Sequence, residues 1–361
     1  MTLDRLPMGS TIGILGGGQL GRMLAMAAAR LGLKAHIYCP EPDGPALDVT
    51  PWRTIAPYED KAALFGFADS VDVVTYEFEN VPAETARFLS VHRPLRPGAQ
   101  ALAVSQDRLA EKQFLSSLGV PVAPYRPVRF IEELHEALEA LGTPAVLKTT
   151  RLGYDGKGQR IIRDPADAVD AFESLSPRPL VLEAFIPFDK EVSIVAARGL
   201  TGEIAAYDPA ENRHEHHILR TSTVPAAIAD DTALEARRIA EKVLAALDYV
   251  GVMGVEFFVE PSGSVLVNEL APRVHNSGHW TDTVCTTDQF AQHIRAIAGW
   301  PLGDPARFAD AVMENLIGDE IDRLPGDVAA GTRPQAYGKT AARPGRKMGH
   351  LTRIAPRTPA R

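Results

Sequence analysis

Two short apolar runs, residues 252–260 and 264–270, are separated only by Pro-Ser-Gly, and this spacing predicts a tight β-hairpin. A hairpin fixes which residues face each other, and a loop over 261–264 places Glu256 directly opposite Glu269. Side chains paired in this way have Cβ atoms about 5 Å apart, and two carboxylates at that distance repel by roughly 3 kcal/mol at an effective dielectric of about 20. A divalent cation with oxygen ligands relieves such repulsion best.

The face of the hairpin that carries the two glutamates is predicted to be only partly solvated. Phe258, Val265 and Val267 share this face by the two-residue period of a strand. The alternative is a register shift by one residue, which would place Asn268 opposite Glu256 and turn the other glutamate towards solvent. The hairpin alone therefore leaves a metal site and a shifted register open.

Composition and charge indicate a globular enzyme with more than one domain. The chain has 361 residues, and its formal charge of −8 disfavours a broad nucleic-acid-binding surface. The two cysteines, Cys39 and Cys285, are far apart in sequence, which fits a reducing cytosol better than a disulfide framework or a thiolate zinc site. No apolar run reaches the roughly 18 residues that a membrane span requires. We therefore expect a cytoplasmic protein that binds neither nucleic acid nor membrane.

The first hundred residues predict a parallel α/β sheet, with strands at 11–15, 35–39 and 71–76 and a helix after the first of them. The pattern changes near Arg96-Pro97-Gly98, where we expect a domain boundary. Ser105 is expected to cap the next helix.

A glycine-rich segment, Gly16-Gly-Gly-Gln-Leu-Gly21, connects the first strand to its helix. Glycines at these positions let backbone amides approach a phosphate at the positive N-terminus of the helix. A dinucleotide cofactor would also need an acidic residue after the second strand, but Glu41 and Asp43 lie in a proline-rich turn. The segment favours phosphate binding, and a dinucleotide site and a purely structural turn stay open as alternatives.

A second glycine-rich segment, Gly153-Tyr-Asp-Gly-Lys-Gly158, lies between two predicted strands and lacks the Walker sequence. A loop of this kind acts as a flap that folds over phosphates and excludes water. Lys148 lies on the strand that leads into the flap and is predicted to be an unpaired cation in an apolar setting. The alternative is a lysine on an exposed strand face beside a mobile loop.

Two other segments are less specific. Glu183-Ala-Phe-Ile186 and the charged stretch at 189–193 are equally typical of a solvated surface. The sequence Asn212-Arg-His-Glu-His-His217 lacks the i, i+4 spacing of a helical metal site, so a polar loop or an anion contact is favoured over a transition metal.

The segment Asn268-Glu-Leu-Ala-Pro-Arg-Val-His-Asn-Ser-Gly-His279 combines a carboxylate at a strand end with one fixed cation and several hydrogen-bond donors. This mixture suits an anionic, oxygen-rich substrate. It indicates that the glutamate hairpin leads directly into a binding site.

Together these motifs resemble those of ATP-grasp enzymes, in particular the N5-carboxyaminoimidazole ribonucleotide synthase family. The resemblance covers residues 10–355 and rests on the order and spacing of the segments at 16–23, 76–81, 153–159, 183–193 and 268–279. It implies an α/β protein (α+β overall) with the ATP-grasp fold. The implied domains are an N-terminal Rossmann-like parallel-sheet domain (1–104), a central ATP-grasp domain (105–300) with a flap subdomain at about 122–190, and a small C-terminal domain (301–361) with a disordered tail.

The resemblance also implies a role for individual residues. Glu256, Glu269 and Asn268 would hold two Mg²⁺ ions that bridge the phosphates of ATP. The other nucleotide-binding residues would be Arg108, Lys148, Gly153, Tyr154, Asp155, Gly156, Lys157, Gly158, Gln159, Glu183, Ala184, Phe185, Ile186, Glu191 and His214. The ribonucleotide substrate would be bound by Gly18, Gln19, Leu20, Glu77, Tyr154, Asp155, Arg273, His275, Asn276, Ser277, Lys339 and Arg346. Of these, the catalytic residues would be Glu77, Tyr154, Asp155, Arg273 and Lys339.

The implied reaction is the carboxylation of 5-aminoimidazole ribonucleotide with bicarbonate and ATP, through carboxyphosphate, by a homodimer in purine biosynthesis. Because carboxyphosphate hydrolyses in an open site, the exclusion of water gives the flap a function. The chain departs from the family at Lys157, where arginine is frequent, and in the Glu-His-His sequence after His214. The alternatives are formate-dependent glycinamide ribonucleotide transformylase or another ATP-grasp ligase, a dinucleotide-dependent oxidoreductase, and a nucleotide-binding protein without turnover.

Overall fold

A computed structural model describes residues 5–153, 156–324 and 326–358, and in these residues the chain forms three β-sheets. The first sheet is parallel, with the strand order β3-β2-β1-β4, and α4 leads out of this unit. Its elements are β1 (Thr11–Leu15), α1 (Gln19–Arg30), β2 (Lys34–Cys39), β3 (Trp52–Ile55), α2 (Lys61–Asp69), β4 (Val73–Tyr76), α3 (Ala83–His92) and α4 (Ala99–Ser105).

The apolar sequence of β1 follows from its central place in this sheet. The strand lies between β2 and β4, and Ile12, Ile14 and Leu15 have no exposed surface. Leu15 is paired with Tyr76, so the glycine loop after β1 and the acidic segment after β4 begin at the same edge of the sheet. Ligands of open α/β sheets bind at the carboxyl ends of the strands, which is this edge.

The second sheet is antiparallel, with the strand order β5-β8-β6-β7, and carries two helices on one side. This part of the chain contains α5 (Arg108–Ser117), β5 (Tyr125–Val128), α6 (Ile131–Leu141), β6 (Ala145–Thr149), β7 (Gln159–Ile162), α7 (Ala168–Leu175) and β8 (Leu180–Ala184). The glycine-rich flap is the connection between β6 and β7.

The predicted cap of α5 is wrong. Ser105 is the last residue of α4, and its hydroxyl donates to the carbonyl of Ala101 at 2.9 Å. Asp107 caps α5 instead, because its carboxylate accepts from the amides of Leu109 and Ala110.

The third sheet contains nine strands among the described residues, in the order β14-β13-β9-β11-β12-β15-β17-β16, with β10 paired to β9. Its pairs are antiparallel, and α8 and α10 cover its opposite faces. The elements are β9 (Lys190–Arg198), β10 (Ile204–Ala206), β11 (Ala210–Glu215), β12 (Ile218–Val224), α8 (Asp230–Ala246), β13 (Gly251–Val259), β14 (Val265–Ala271), α9 (Thr281–Val284), α10 (Gln289–Ile297), β15 (Asp310–Ile317), β16 (Thr332–Ala336) and β17 (Lys347–Ala355).

The hairpin of β13 and β14 pairs Glu256 with Glu269, as predicted, but reaches this register in another way. Val259 is paired with Val265, so the loop is one residue longer than predicted. A β-bulge between Glu256 and Phe257 absorbs the extra residue.

The bulge also corrects the predicted faces of the hairpin. Val265 and Val267 lie opposite Val259 and Phe257 and are buried with them, so they do not share the face of Glu256. Leu266 lies opposite Phe258 instead.

The C-terminal strands extend the third sheet, because β12 pairs with β15. Thr358, after the last strand, donates its amide to Asp310 at 3.0 Å. The rest of the tail predicted to be disordered, residues 359–361, lies outside the described residues. The helices of the described chain are too short or too polar to cross a lipid bilayer.

Candidate active site

The bulge places two polar side chains in succession away from the core. Val267 and Leu270 are buried, whereas Asn268 and Glu269 between them are both half-exposed. A regular strand would have turned one of these two side chains into the core. The bulge therefore aims the amide of Asn268 and the carboxylate of Glu269 to the side where Glu256 lies.

The two paired glutamates form an acidic centre. Burial, and then the charge of Glu269, raises the pKa of Glu256 to about 8. His275 Nε2 lies 3.2 Å from Glu256 Oε1, and Arg108 Nη1 lies 3.8 Å from Glu269 Oε2.

Carboxylate and amide oxygens fit a hard divalent cation such as Mg²⁺. In the described chain no group of three or more His, Cys, Asp or Glu side chains is arranged as a complete metal site. A cation at Glu256 and Glu269 would therefore need ligands in addition to these protein groups.

A buried ion cluster lies on the second sheet. Lys148 Nζ on β6 donates to Glu183 Oε2 on β8 at 2.9 Å, and Lys112 Nζ on α5 lies 3.3 Å from the same oxygen. Burial opposes ionisation of Glu183, but Lys148 and Lys112 lower its pKa to about 2. The prediction of an unpaired Lys148 is thus wrong, and so is the alternative of an exposed one, because Glu183 pairs with it inside the protein.

The other oxygen of this carboxylate is unused. Glu183 Oε1 is buried and has no hydrogen-bond partner among the described residues. Buried acceptors are nearly always paired, so this oxygen is an acceptor position for a donor from outside the described residues.

The described residues of the flap follow β6, the strand that carries Lys148. The base of the flap is closed by the amide of Thr149, which donates to the carbonyl of Gly158 at 2.8 Å, and Arg108 Nη2 donates to the carbonyl of Gly153 at 3.4 Å. Gly156 has a φ of +76°, and a Cβ there would lie 2.5 Å from Cγ of His217. Lys157 lies between Gly156 and Gly158, and Gln159 begins β7. The predicted site residues Tyr154 and Asp155 lie outside the described residues.

The segment after β8 and two strands of the third sheet carry the remaining predicted nucleotide residues. Ala184 and Phe185 donate their amides to the carbonyls of Pro124 and Pro144 at 2.9 and 3.2 Å, and Ile186 follows them. His214 Nδ1 on β11 is hydrogen-bonded to the carboxylate of Glu191 on β9. Burial lowers the pKa of His214, but this bond and the charges of Glu191 and Glu256 together raise it above its ordinary value.

The histidines that follow form a tight turn. His216 and His217 connect β11 to β12, with φ values of 50° and 65°. The polar loop predicted for this sequence is therefore a hairpin turn, and it is placed against Gly156 of the flap.

The first glycine loop surrounds a carboxylate of the protein itself. Glu77, after β4, accepts hydrogen bonds from the amide of Gly18 and, at 2.6 Å, from that of Gly21. A Cβ at Gly16 would lie 2.3 Å from Cγ of Glu77, which explains the glycine there. Burial raises the pKa of Glu77, and the two amides oppose this shift. The Gly18 amide predicted to contact a phosphate thus donates to Glu77, while Gln19 and Leu20 form the first turn of α1.

Arg273, after β14, pairs with a glutamate that the sequence analysis missed. Its Nε donates to the carboxylate of Glu79 from the first unit. Burial opposes ionisation of Glu79, but Arg273 lowers its pKa to about 2. Glu79 lies two residues after Glu77, in a motif on which the resemblance rests, and this neighbourhood was the available signal.

The residues after Arg273 form a buried hydrogen-bond network. His275 Nδ1 and Ser277 Oγ are 2.8 Å apart, and Ser193 Oγ on β9 donates to Ser277 Oγ at 2.7 Å. Asn276 and Asn315 exchange two hydrogen bonds of 3.0 and 2.8 Å. Burial, and then the charge of Arg273, lowers the pKa of His275 to about 3.

Two cations from the C-terminal segment complete the site. Lys339 Nζ donates to the carbonyl of Lys347 at 2.6 Å, and Arg346 Nη1 donates to the carbonyl of Ala341 at 2.7 Å. Burial, and then Arg346, lowers the pKa of Lys339 to about 8, while Glu77 opposes this shift. The structure thus brings the predicted substrate residues of the first unit and the C-terminal segment together.

The sequence analysis also missed two residues of α5, Glu111 and Lys112. Both are buried, although both are ionisable residues. Burial, and then the charge of Glu269, raises the pKa of Glu111 to about 8. The two residues of α5 lie three and four residues after Arg108, on the same helical face, and this spacing was the signal that marked them.

Family models match most of the chain. Residues 9–106 match the ribonucleotide synthetase preATP-grasp domain, residues 113–290 the ATP-grasp domain, and residues 311–360 the phosphoribosylaminoimidazole carboxylase C-terminal domain. The predicted family and the predicted ATP-grasp fold class are therefore confirmed.

Individual relatives agree with these models. The chain is 53% identical to N5-carboxyaminoimidazole ribonucleotide synthase of Brucella melitensis, over 99% of this chain and 100% of the relative. The crystal structure of the corresponding synthetase from Thermus thermophilus is 47% identical, with a TM-score of 0.89 over 95% of this chain and 93% of that one. The synthase of Aspergillus clavatus in complex with ADP and 5-aminoimidazole ribonucleotide is 30% identical, with a TM-score of 0.91 and coverages of 97% and 94%. The chain belongs to the N5-carboxyaminoimidazole ribonucleotide synthase family of ATP-grasp proteins.

Proposed function

We propose that the protein is a ligase that carboxylates 5-aminoimidazole ribonucleotide with bicarbonate at the expense of ATP, giving N5-carboxyaminoimidazole ribonucleotide, ADP and phosphate in purine biosynthesis. One observation carries this proposal: His275 lies between the acidic centre and the predicted substrate residues, with Nε2 3.2 Å from Glu256 and Nδ1 2.8 Å from Ser277. A nucleotide at Glu256 and an anionic substrate near Arg273 would therefore meet. The relatives named as this synthase support the proposal, as does the complex of one of them with ADP and the ribonucleotide.

On the nucleotide side, Glu183 and Glu191 would contact the adenosine part of ATP, and Lys148 and Arg108 would lie along its phosphates. The orphaned Glu183 Oε1 and the pairing of Glu191 with His214 support these roles. Glu256, Asn268 and Glu269 would hold the expected two Mg²⁺ ions. Bound Mg²⁺ would neutralise the charge of the phosphates during transfer.

In the first step, an oxygen of bicarbonate attacks the γ-phosphorus of ATP, the bond to ADP breaks, and carboxyphosphate forms. Lys148 and Arg108 contribute positive charge to this transfer. In the second step, the amine of the ribonucleotide attacks the carboxyl carbon, phosphate leaves, and the amine loses a proton. Arg273, Lys339 and Arg346 would orient the anionic partners, and the flap would exclude water.

We further propose that the expected domain division at 104 and 300 holds, and that the protein acts in the cytoplasm as a homodimer without nucleic-acid or membrane partners. The net charge of −8 supports the absence of a nucleic-acid partner, and the two free, buried cysteines support a reducing compartment.

The experiment is an assay of ADP release with each candidate substrate. We expect turnover that requires 5-aminoimidazole ribonucleotide and Mg²⁺ and rises with bicarbonate. Turnover that depends on formate and glycinamide ribonucleotide instead would favour the transformylase. Tight NAD(P) binding without ADP release would favour an oxidoreductase, and ATP binding without turnover a passive binding protein.

Glu269→Gln tests the acidic centre directly. The variant should lose most turnover while staying folded, because one charge of the paired carboxylates is gone. Glu260→Gln, in the loop of the same hairpin, is the matched control and should keep normal rates. Near-normal turnover of Glu269→Gln at limiting Mg²⁺ would remove Glu269 from the metal site.

A further inference from the structure

The strand that carries Asn268 and Glu269 is an edge strand. β14 stands at one end of the strand order of the third sheet, so one side of its backbone faces away from β13. Amides on such an edge need partners from elsewhere in the protein. Val267 donates to the carbonyl of Pro121 at 2.9 Å, and Leu270 donates to Glu111 Oε2 at 3.0 Å. These two bonds enclose Asn268 and Glu269 on either side.

The partner of Leu270 is an unusual one. Glu111 lies on α5 with only 3% of its surface exposed, and burial of a carboxyl group is costly. An apolar side chain would fill the same space without that cost, so the oxygen of Glu111 has a use other than packing. The hydrogen bond to the Leu270 amide is that use.

A bulged edge strand has a specific weakness. The bulge leaves one extra residue between the pairs 256–269 and 257–267. A slip by one residue would place Asn268 opposite Glu256 and move Glu269 out of that position. The hydrogen bond at Leu270 opposes this slip, because it fixes the backbone directly after Glu269.

We propose that Glu111 is a positioning residue for the metal ligands, whose Oε2 anchors the Leu270 amide and so holds Asn268 and Glu269 in the register that faces Glu256. This inference rests on the metal-binding part of the proposed function. The same helix face also carries Arg108, which lies 3.8 Å from Glu269 Oε2. Helix α5 thus contacts the acidic centre at two points. Glu111 accepts from the backbone amide of Leu270, and the side chain of Arg108 lies beside the carboxylate of Glu269.

The test compares Glu111→Gln, which keeps an acceptor oxygen, with Glu111→Leu, which removes it. Leu115→Val, in the core under the same helix, is the control for general loosening of α5. For each protein, the melting temperature in the presence of ADP is measured as Mg²⁺ is added, which gives the Mg²⁺ concentration for half of the maximal stabilisation. Hydrogen exchange of the Leu270 amide is measured in the same proteins. We expect Glu111→Leu to raise this concentration roughly 10-fold and to expose the amide, and Glu111→Gln and Leu115→Val to stay within about twofold of wild type.

Glu111→Asp covers the case in which Glu111→Leu does not fold. Its side chain keeps the carboxylate but is shorter by one methylene, so it should show the same raised Mg²⁺ requirement. Unchanged Mg²⁺ dependence in Glu111→Leu or Glu111→Asp would overturn the inference. The readout uses only ADP and Mg²⁺, so the inference stands even if the proposed carboxylation substrate is wrong. If Mg²⁺ has no effect on the stability of the wild-type protein with ADP, both the inference and the proposed metal site are overturned.

Discussion

Glu183 shows how a single buried residue is stabilised and still left ready for a ligand. Oε2 accepts a hydrogen bond from Lys148 and lies 3.3 Å from Nζ of Lys112. Oε1 has no hydrogen-bond partner in the described part of the chain. Leaving a buried acceptor unpaired costs about 1–3 kcal/mol, and this cost is recovered when a donor binds.

Lys112→Met tests this cluster. The change removes one of the two cations at Glu183 Oε2 and leaves the carboxylate buried, so the free energy of unfolding should fall by about 1–3 kcal/mol. Urea denaturation without nucleotide measures this change. Lys61→Met, at the exposed start of α2, is the control and should stay within about 0.5 kcal/mol of wild type. Equal stability of the two variants would show that Lys148 alone suffices.

At the scale of elements, the sequence predicted the pairing of Glu256 with Glu269 but not the bulge. The pairing follows from local spacing, since the turn residues and the apolar runs lie within twenty residues of each other. The bulge depends on Pro121 and Glu111, which are more than a hundred residues away and contact β14 only in the folded protein. The sequence also predicted that Lys148 has no ion-pair partner, because Glu183 lies on a separate strand and is brought next to it only by folding.

The flap and the histidine turn are two connections that meet at Gly156. A left-handed φ of +76° and the ring of His217 both exclude a side chain there. The contact gives the flap a fixed surface on the third sheet, beside the hairpin of His214.

Gly156→Ala should therefore weaken the flap. Its methyl group would overlap the imidazole, so we expect a several-fold higher KM for ATP and more ADP formed per product molecule, since water then reaches the site. Gly202→Ala is the matched control, because its φ of +87° is similar and the nearest atom, in the Arg198 side chain, would be 3.5 Å from the added Cβ. The added change His217→Gly should restore the function of Gly156→Ala in part, because the overlap is removed and the backbone strain stays. No recovery at all would show that backbone strain alone is responsible.

At the scale of the whole molecule, one buried histidine joins the first and third sheets, two of the three that carry the site. His293 on α10 accepts at Nδ1 from the amide of Val252 on β13, at 3.0 Å. Nε2 must then carry the proton, and it donates to Thr75 Oγ1 on β4 at 2.8 Å. Thr75 lies two residues before Glu77, and Val252 four residues before Glu256, so this bridge sets the spacing between the substrate side and the acidic centre.

The sequence predicted the parallel first sheet because its strands alternate with helices along the chain. It did not reveal this bridge, because a lone histidine on an apolar helix has no partner that spacing can identify. Nor did it show that β15 to β17 continue the sheet of the glutamate hairpin.

The bridge predicts a specific pH dependence of stability. Burial lowers the pKa of His293 to about 3, whereas in the unfolded chain it titrates near 6.5. Between these values the unfolded chain binds the extra proton, so the stability from neutral His293 is complete above about pH 6.5 and is lost as the pH falls. Each pH unit removes about 1.4 kcal/mol from the free energy of unfolding.

His293→Gln isolates this contribution from those of other titrating groups. The advantage of wild type over the variant, measured by urea denaturation, should shrink by about 1.4 kcal/mol per unit between pH 6 and pH 4. A difference between wild type and His293→Gln that does not change with pH would contradict this prediction. It would mean that the folded protein accepts a proton at the bridge, and that the contact between Thr75 and His293 opens at mildly acidic pH.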